Sequence, residues 1–248
     1  MRPQEHSSGF EAEWPAPPSV RTWVTTRSGG VSAPPYESLN LGTHVGDEEA
    51  QVVENRNRLQ QQLQLAAEPQ WLNQVHGTTV VELPFSPAVI PRADGCWTQQ
   101  PQFPCAVLTA DCLPILLTNR RGSQVAALHA GWRGLAAGVV AQGVQRFDDD
   151  RDQILAWIGP AIAQPSYEVG EEIREIFCQQ DERAEGCFDP SEKGHWLASM
   201  VDLAKLRLQQ IGVETVYGGG WDTGTDSDFF SYRRDGITGR FATLIWIE

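Results

Sequence analysis

"QVAALHAGWRGLAAGVVAQGVQRF", Gln124 to Phe147, is the stretch from which the rest of the chain can be read. Its first apolar run, Val125–Leu128, predicts a short strand. His129 to Gly134 predicts a glycine-bounded turn, and Leu135 to Phe147 a helix. The helical apolar residues Leu135, Val139, Val140, Val144 and Phe147 fall at i, i+4, i+5, i+9 and i+12, one face at a period near 3.6. Downstream, "ILAWIGP" predicts another strand, "VGEEIREIF" a short acidic helix and "MVDLAKLRLQQIG" a helix closed by Gly212. "VETVYGG" follows as a strand. Upstream, "LTADCLPILL" (Leu108–Leu117) reads as a buried strand that carries an acid and a thiol, Asp111 and Cys112, side by side. An unpaired buried carboxylate is very costly, so that pair calls for an explanation.

Further out, "VRTWVTTR" (Val20–Arg27) has the β-branched content of a strand and stops at a Ser-Gly-Gly turn signal. "APPYESLNLGTHVGD" (Ala33–Asp47) is too rich in Pro and Gly for regular structure and reads as a long ordered loop, often a functional element. Glu49 to Leu65 reads as a helix and "TTVVELP" as a strand. The C-terminal "FFSYRRDGITGRFATLIWIE" reads as a hairpin around "DGITG". Strands and helices alternate irregularly, which predicts an α/β or α+β fold with mixed sheets. One domain is expected over residues 20–248, behind a polar, Pro-rich and flexible segment 1–19.

Composition narrows the function. A formal charge of −13, from 19 Lys+Arg against 32 Asp+Glu, argues against general binding to nucleic acid or anionic membranes. A small phosphorylated ligand held by a few arginines remains compatible. The five cysteines are scattered and include no Cys-x-x-Cys pair. No signal peptide or membrane span is legible, so a reduced, cytoplasmic setting is expected.

Three residues share a placement. His76 of "NQVHGTTVV", Cys112 of "TADCLPI" and His129 of "ALHAGW" each lie at a predicted strand end beside a turn, where sites are usually built. Two imidazoles and one thiolate suit zinc, and three protein ligands leave a fourth position open, as in catalytic sites. Their separations match no short metal motif. The competing reading is two hydrogen-bonded histidines and a core cysteine.

"TTRSGGVSAPPYESLNLGTHVGD", "WLNQVHGTTVV", "ADGCWT", "LTADCLPILL", "ALHAGWRGLAAGVV", "WIGPAIAQPSYEVG" and "FFSYRRDGITGRFATLIW" occur in that order. Together they resemble the family long labelled multicopper polyphenol oxidoreductase or laccase-like, also described as zinc-dependent purine nucleoside phosphorylases. The blocks run from about residue 22 to the C-terminus, and the pairing of "TADCLP" with "HAGWRG" is specific. The resemblance implies mixed β-sheets layered between helices. It also implies a zinc site on His76, Cys112 and His129, with copper as the alternative metal at that site. The implied activity is phosphorolysis of purine nucleosides to base and ribose 1-phosphate, accompanied by adenosine deamination and methylthioadenosine phosphorolysis. One departure stands out. Where the family commonly has a Cys-Thr pair ahead of "FFSYRR", this chain has "GGWDTGTDSD", with Trp221 or Asp222 in the cysteine's place.

Those reactions ask for particular side chains. Deamination needs an activated water and a carboxylate that carries protons, for which Asp111, Asp94 and Glu168 are candidates. An Asp in such a sequence is as readily a turn or cap residue. Phosphate is best held by arginine forks, and Arg27, Arg133, Arg233 and Arg234 are available. A surface salt bridge is the alternative for each. Asn40 and His44 of the long loop are candidate substrate hydrogen-bonders, unless their bonds serve the loop itself. Two rival functions use the same residues. A Cys–His hydrolase would take Cys112 as nucleophile. A copper oxidase of phenols would need more ligands than five histidines supply.

Overall fold

The computed structural model describes residues 8–86 and 89–248. The first strands are β1 (Gly9–Phe10), β2 (Val20–Thr25), β3 (Val80–Glu82), β4 (Gly95–Thr98) and β5 (Cys105–Thr109). Next come β6 (Leu113–Asn119), β7 (Val125–Ala130), β8 (Ile154–Ile158) and β9 (Glu168–Gly170). The last are β10 (Phe188–Pro190), β11 (His195–Ala198), β12 (Thr215–Gly218) and β13 (Phe241–Ile247). The helices are α1 (Glu49–Gln62), α2 (Trp132–Ala137), α3 (Val139–Val144), α4 (Glu171–Cys178), α5 (Met200–Gln210) and α6 (Tyr232–Asp235).

Leu108 and Leu113–Leu117 belong to two strands in two sheets. β5 ends at Thr109 and β6 begins at Leu113, with Asp111 between them in the left-handed region (φ 89°). That turn carries the chain out of the four-stranded sheet, ordered β1-β2-β13-β5, into the six-stranded sheet, ordered β12-β8-β6-β7-β4-β3. The six-stranded sheet is mixed, with β12/β8 and β3/β4 parallel and its remaining pairs antiparallel. A separate three-stranded sheet, β10-β11-β9, lies outside both.

Alternation along the strands builds the layers. Leu113, Ile115 and Leu117 of β6 face a core completed by Leu135 and Val139 of α2 and α3 and by Leu203 and Leu208 of α5. Leu116 of the same strand faces the other way, against Val107 of β5 and Phe241 and Ile245 of β13. Because β6 is covered on both faces, its sequence is a nearly continuous apolar run instead of an alternating one. The outer face of the four-stranded sheet, through Leu108 and Leu244, packs on Leu59 of α1 and on Leu39 and Leu41 of the long loop. Helices, sheet, sheet and helix therefore stack in that order, the mixed α+β arrangement expected.

Three local expectations are corrected. The helix over Leu135–Phe147 is two short helices that begin earlier, at Trp132. Gly138 separates them at φ 98°, a conformation costly for side chains, while the apolar period runs through the break undisturbed. The C-terminus is not a hairpin around "DGITG". Phe229 and Phe230 enter the core, Ser231 caps α6 by accepting the Arg234 N–H, and β13 then lies between β2 and β5. Lastly, the flexible segment expected over 1–19 is tied down from residue 8. β1 pairs with β2, the Ala12 N–H donates to Thr22 Oγ1 at 2.9 Å, and the Phe10 ring stacks on Trp221 at 5.7 Å. These aromatic contacts outweigh the Pro-rich composition. Residues 1–7 lie outside the described residues.

Candidate active site

The turn between β5 and β6 opens a gap at the seam of the two large sheets, and the candidate metal ligands meet there. His76 reaches it from the segment before β3, in a left-handed conformation (φ 60°). Two side chains hold that segment in place. Gln74 donates to the Leu108 carbonyl and accepts the Leu108 N–H, both at 2.8 Å, and so acts as a short extra strand along β5. Asp94, fully buried ahead of β4, accepts N–H groups from Val75 (3.1 Å), His76 (2.8 Å) and Gly77 (2.6 Å). The same carboxylate bonds His129 Nδ1 at 2.9 Å. Burial works to raise the Asp94 pKa, but His129 and the Gly77 and His76 amides outweigh it and hold it below the usual range. An imidazole whose Nδ1 is committed to a carboxylate presents Nε2 as its free ligand atom.

His76, Cys112 and His129 each offer one ligand atom, and these atoms all lie within 4.8 Å of one another. Cys112 Sγ is 3.8 Å from His76 Nε2, and the two imidazole centroids are 4.7 Å apart. Tetrahedral ligands at ordinary zinc–nitrogen and zinc–sulfur lengths are separated by roughly 3.3–3.6 Å, so small adjustments close the set around an ion. The donor chemistry fits a metal as well. Burial alone would raise the Cys112 thiol, yet His129 and His76 bring it down to about 6. Burial alone would lower His129, yet Cys112 and Asp94 push it up to about 9. The sulfur is thus disposed to be a thiolate. Gly131 leaves the space for this, since a Cβ there would sit 2.7 Å from His76 Cδ2 and 3.1 Å from Cys112 Sγ.

The cluster opens into a cavity of about 470 Å³, whose walls include Asp111, Tyr167, Arg133, Arg233, His44 and Arg240. Asp111 Oδ1 accepts the Thr223 hydroxyl at 2.6 Å and Oδ2 the Arg233 N–H at 2.7 Å. Tyr167 carries the Arg233 guanidinium 5.0 Å above its ring, and burial pushes its phenol up to about 12, so it stays protonated.

A family model described as multi-copper polyphenol oxidoreductase laccase matches residues 21–248. The chain belongs to that laccase family. Relatives of the chain include a purine nucleoside phosphorylase of Pseudomonas aeruginosa, 49% identical over 95% of this chain and 97% of that protein. The purine nucleoside phosphorylase YfiH of Escherichia coli is likewise 49% identical over 95% of this chain and 97% of its own length. Among solved structures, a Neisseria meningitidis protein of family DUF152 superposes with a TM-score of 0.94 at 45% identity, covering 98% of this chain and 100% of that one.

Not every expected site residue reaches the cavity of this laccase-family chain. His76, Cys112, His129, Asp111, His44, Arg133 and Arg233 line it. Arg27 does not: its Nε donates to the Glu37 carbonyl and its guanidinium covers the Phe230 ring. Asn40 is fully buried, and its amide is consumed by Gly42, Asp47 and Arg240. Glu168 is exposed and accepts the Ser191 hydroxyl at 2.6 Å. Arg234 binds Asp235 and the carbonyls of Thr223, Asp226 and Phe229, which makes it a loop staple.

The departure from the family's Cys-Thr pair also acquires a location. Thr223 is fully buried and holds Asp111, whereas Asp222 accepts the Ala163 and Gly224 N–H groups and the Ser166 hydroxyl. Trp221 packs on Trp157 and Phe10. Sequence reasoning missed Gln74, Tyr167 and Arg240. For Gln74 the signal was its place two residues before His76, while nothing local marks Arg240.

Proposed function

We propose that this chain is a zinc-dependent purine nucleoside phosphorylase, which converts inosine, guanosine or adenosine and phosphate to free base and ribose 1-phosphate. Adenosine deamination and methylthioadenosine phosphorolysis would use the same cavity. The observation that carries this reading is the convergence of His76, Cys112 and His129 at the wall of a nucleoside-sized, arginine-bearing cavity, in a chain half identical to named phosphorylases. His76, Cys112 and His129 would hold the ion, which supplies Lewis acidity and an acidified water when bound.

The remaining roles belong to the protein. Asp94 orients both histidines. With four donors on its carboxylate, it is a poor proton carrier. Asp111 lines the cavity and keeps a lone pair on each oxygen beyond its bonds to Thr223 and Arg233, so it is favoured over Glu168 for that task. The protonated Tyr167 phenol can donate to substrate, and the apolar walls at Leu113, Ile162 and Met200 exclude water from the reacting bond. Five free thiols suit the cytoplasmic setting included in this proposal.

Two other readings draw on specific observations. The depressed Cys112 thiol beside two imidazoles would serve a Cys–His hydrolase. A His₂Cys set would accept copper, although a laccase needs more ligands than this one cluster provides among the described residues. One experiment separates all three. The purified protein should contain about one zinc per chain, release hypoxanthine from inosine only when phosphate is supplied, and lose both properties in Cys112→Ala. Full activity in the metal-free protein that alkylation of Cys112 abolishes would establish the hydrolase reading instead. Stoichiometric copper with phenol oxidation would establish the oxidase.

A further inference from the structure

Arg240 is a half-buried guanidinium in the cavity wall with no acid of its own. Its Nη1 donates to the backbone carbonyls of Thr238 (3.1 Å) and Gly239 (2.9 Å). No ion pair among the described residues includes it. The other arginines at or near the cavity are engaged differently. Arg233 spans Tyr167 and the Glu168 carbonyl, and the exposed Arg133 lies over the Trp132 ring at 4.4 Å. A charge taken partly out of water is ordinarily matched by a counter-charge. At Arg240 the protein supplies two carbonyls and leaves one edge of the fork to the cavity. Loss of hydration accordingly lowers its pKa, while Cys112 and Asp111, close enough to act on it, oppose that shift.

His44 shares this wall. Loss of hydration is the largest cause lowering its pKa, followed by the Arg240 and Arg56 charges, so its imidazole is held neutral. The backbone segments that carry these two side chains are tied together by Asn40. Its Oδ1 accepts both the Arg240 N–H (2.9 Å) and the Gly42 N–H (3.0 Å), and its Nδ2 donates to the Gly42 carbonyl and to Asp47. The long loop is thereby clamped to the start of β13. This gives the buried Asn40 a definite task, that of holding the loop backbone against the backbone at Arg240 without touching substrate.

We infer that Arg240 and His44 form the seat of a tetrahedral oxyanion, the phosphate that attacks the nucleoside. The guanidinium edge supplies parallel N–H donors and the neutral imidazole one more, a set that matches phosphate oxygens. In the reaction a phosphate oxygen forms a bond to C1′ as the C1′–N bond breaks. The bonding pair goes to the purine, and the proton given up by phosphate ends on the purine nitrogen. The inference deepens the phosphorylase reading and rests on it for the identity of the anion.

The test uses metal-loaded protein and two readouts, the KM for inorganic phosphate and the rise in Tm that phosphate alone produces. Lysine at 240 keeps the charge and loses the fork. Arg240→Lys should therefore raise the phosphate KM about tenfold or more, with the inosine KM changed less than about twofold, and should shrink the phosphate-induced Tm rise at any given phosphate concentration. His44→Asn, on an exposed part of the loop, should act in the same direction at no cost to folding or metal content. Wild-type phosphate KM and Tm response in both variants would overturn the seat, and so would a wild-type protein whose Tm phosphate does not move. If phosphate raises the wild-type Tm through Arg240 yet inosine is never cleaved, the anion seat stands and the phosphorylase reading falls.

Discussion

Asp94 Oδ1 lies 2.9 Å from His129 Nδ1, and the same oxygen accepts the His76 N–H at 2.8 Å. One carboxylate thus sets the ring of one candidate ligand and the backbone of another. Asp94→Asn would turn an amide NH₂ toward groups that are themselves donors. Metal affinity is expected to fall about 10–100-fold, the usual effect of losing a ligand's hydrogen-bonded carboxylate. Competition against a chromogenic chelator measures it, and unchanged affinity would assign Asp94 to loop folding alone.

Gly131 is required for its missing side chain. A methyl group there would press on His76 Cδ2 at 2.7 Å and Cys112 Sγ at 3.1 Å, and its φ of −66° suits any residue. Gly131→Ala should therefore spread the ligands and weaken metal binding by about an order of magnitude, with a stability loss of about 1–3 kcal/mol from overpacking. Metal titration and thermal melts check both parts. A variant that binds metal like the wild type would show that the neighbours yield at no cost.

The metal-free protein should report its thiolate through pH. Burial raises Cys112, but His129 and His76 outweigh it and place it near 6 in the folded chain, against 9.0 for an ordinary thiol. The thiolate is the stabilised form, so its contribution is complete above 9 and declines as the pH falls through 6. His129, raised from 6.5 to about 9, contributes fully below 6.5 and loses that contribution as the pH rises through 9. After chelation, Cys112 alkylation by iodoacetamide should accelerate as the pH passes about 6. Onset near 9 would contradict the imidazole contacts.

Thr223→Val removes the hydroxyl that Asp111 Oδ1 accepts at 2.6 Å while conserving shape. A hydrogen bond to a charged group is worth about 1.5–3 kcal/mol. Turnover is expected to drop about tenfold or more, with metal content unchanged. If metal is lost in parallel with turnover, the bond serves the β5–β6 turn instead of the chemistry.

The strand expected over Val125–Leu128 was legible as an apolar run ending at a turn and extends to Ala130, whereas the clustering of His76, Cys112 and His129 was legible through their strand-end placement together with the family resemblance. Asp94 was visible only as one acid among three. Its three N–H donors exist because His76 adopts a left-handed conformation, which no sequence pattern at residue 94 announces. Arg240 was illegible for a stronger reason. Its partner Asn40 lies 200 residues away and meets it only after β13 has docked between β2 and β5. The break at Gly138 escaped notice since the apolar face continues across it.

The seam between the two large sheets has a mechanical consequence. The histidine ring that Asp94 orients extends from β7 of one sheet, and the guanidinium of Arg240 stands at the start of β13 in the other. Any molecule spanning the distance from one to the other rivets two slabs that otherwise meet through side-chain packing and two weak thiol contacts, Cys96 Sγ to the Ala106 carbonyl and Cys105 Sγ to the Val125 carbonyl. Sliding of one slab over the other would detune the cavity when it is empty and be arrested when it is full. Amide exchange in β13, remote in sequence from every candidate metal ligand, should then slow when nucleoside and phosphate are bound together.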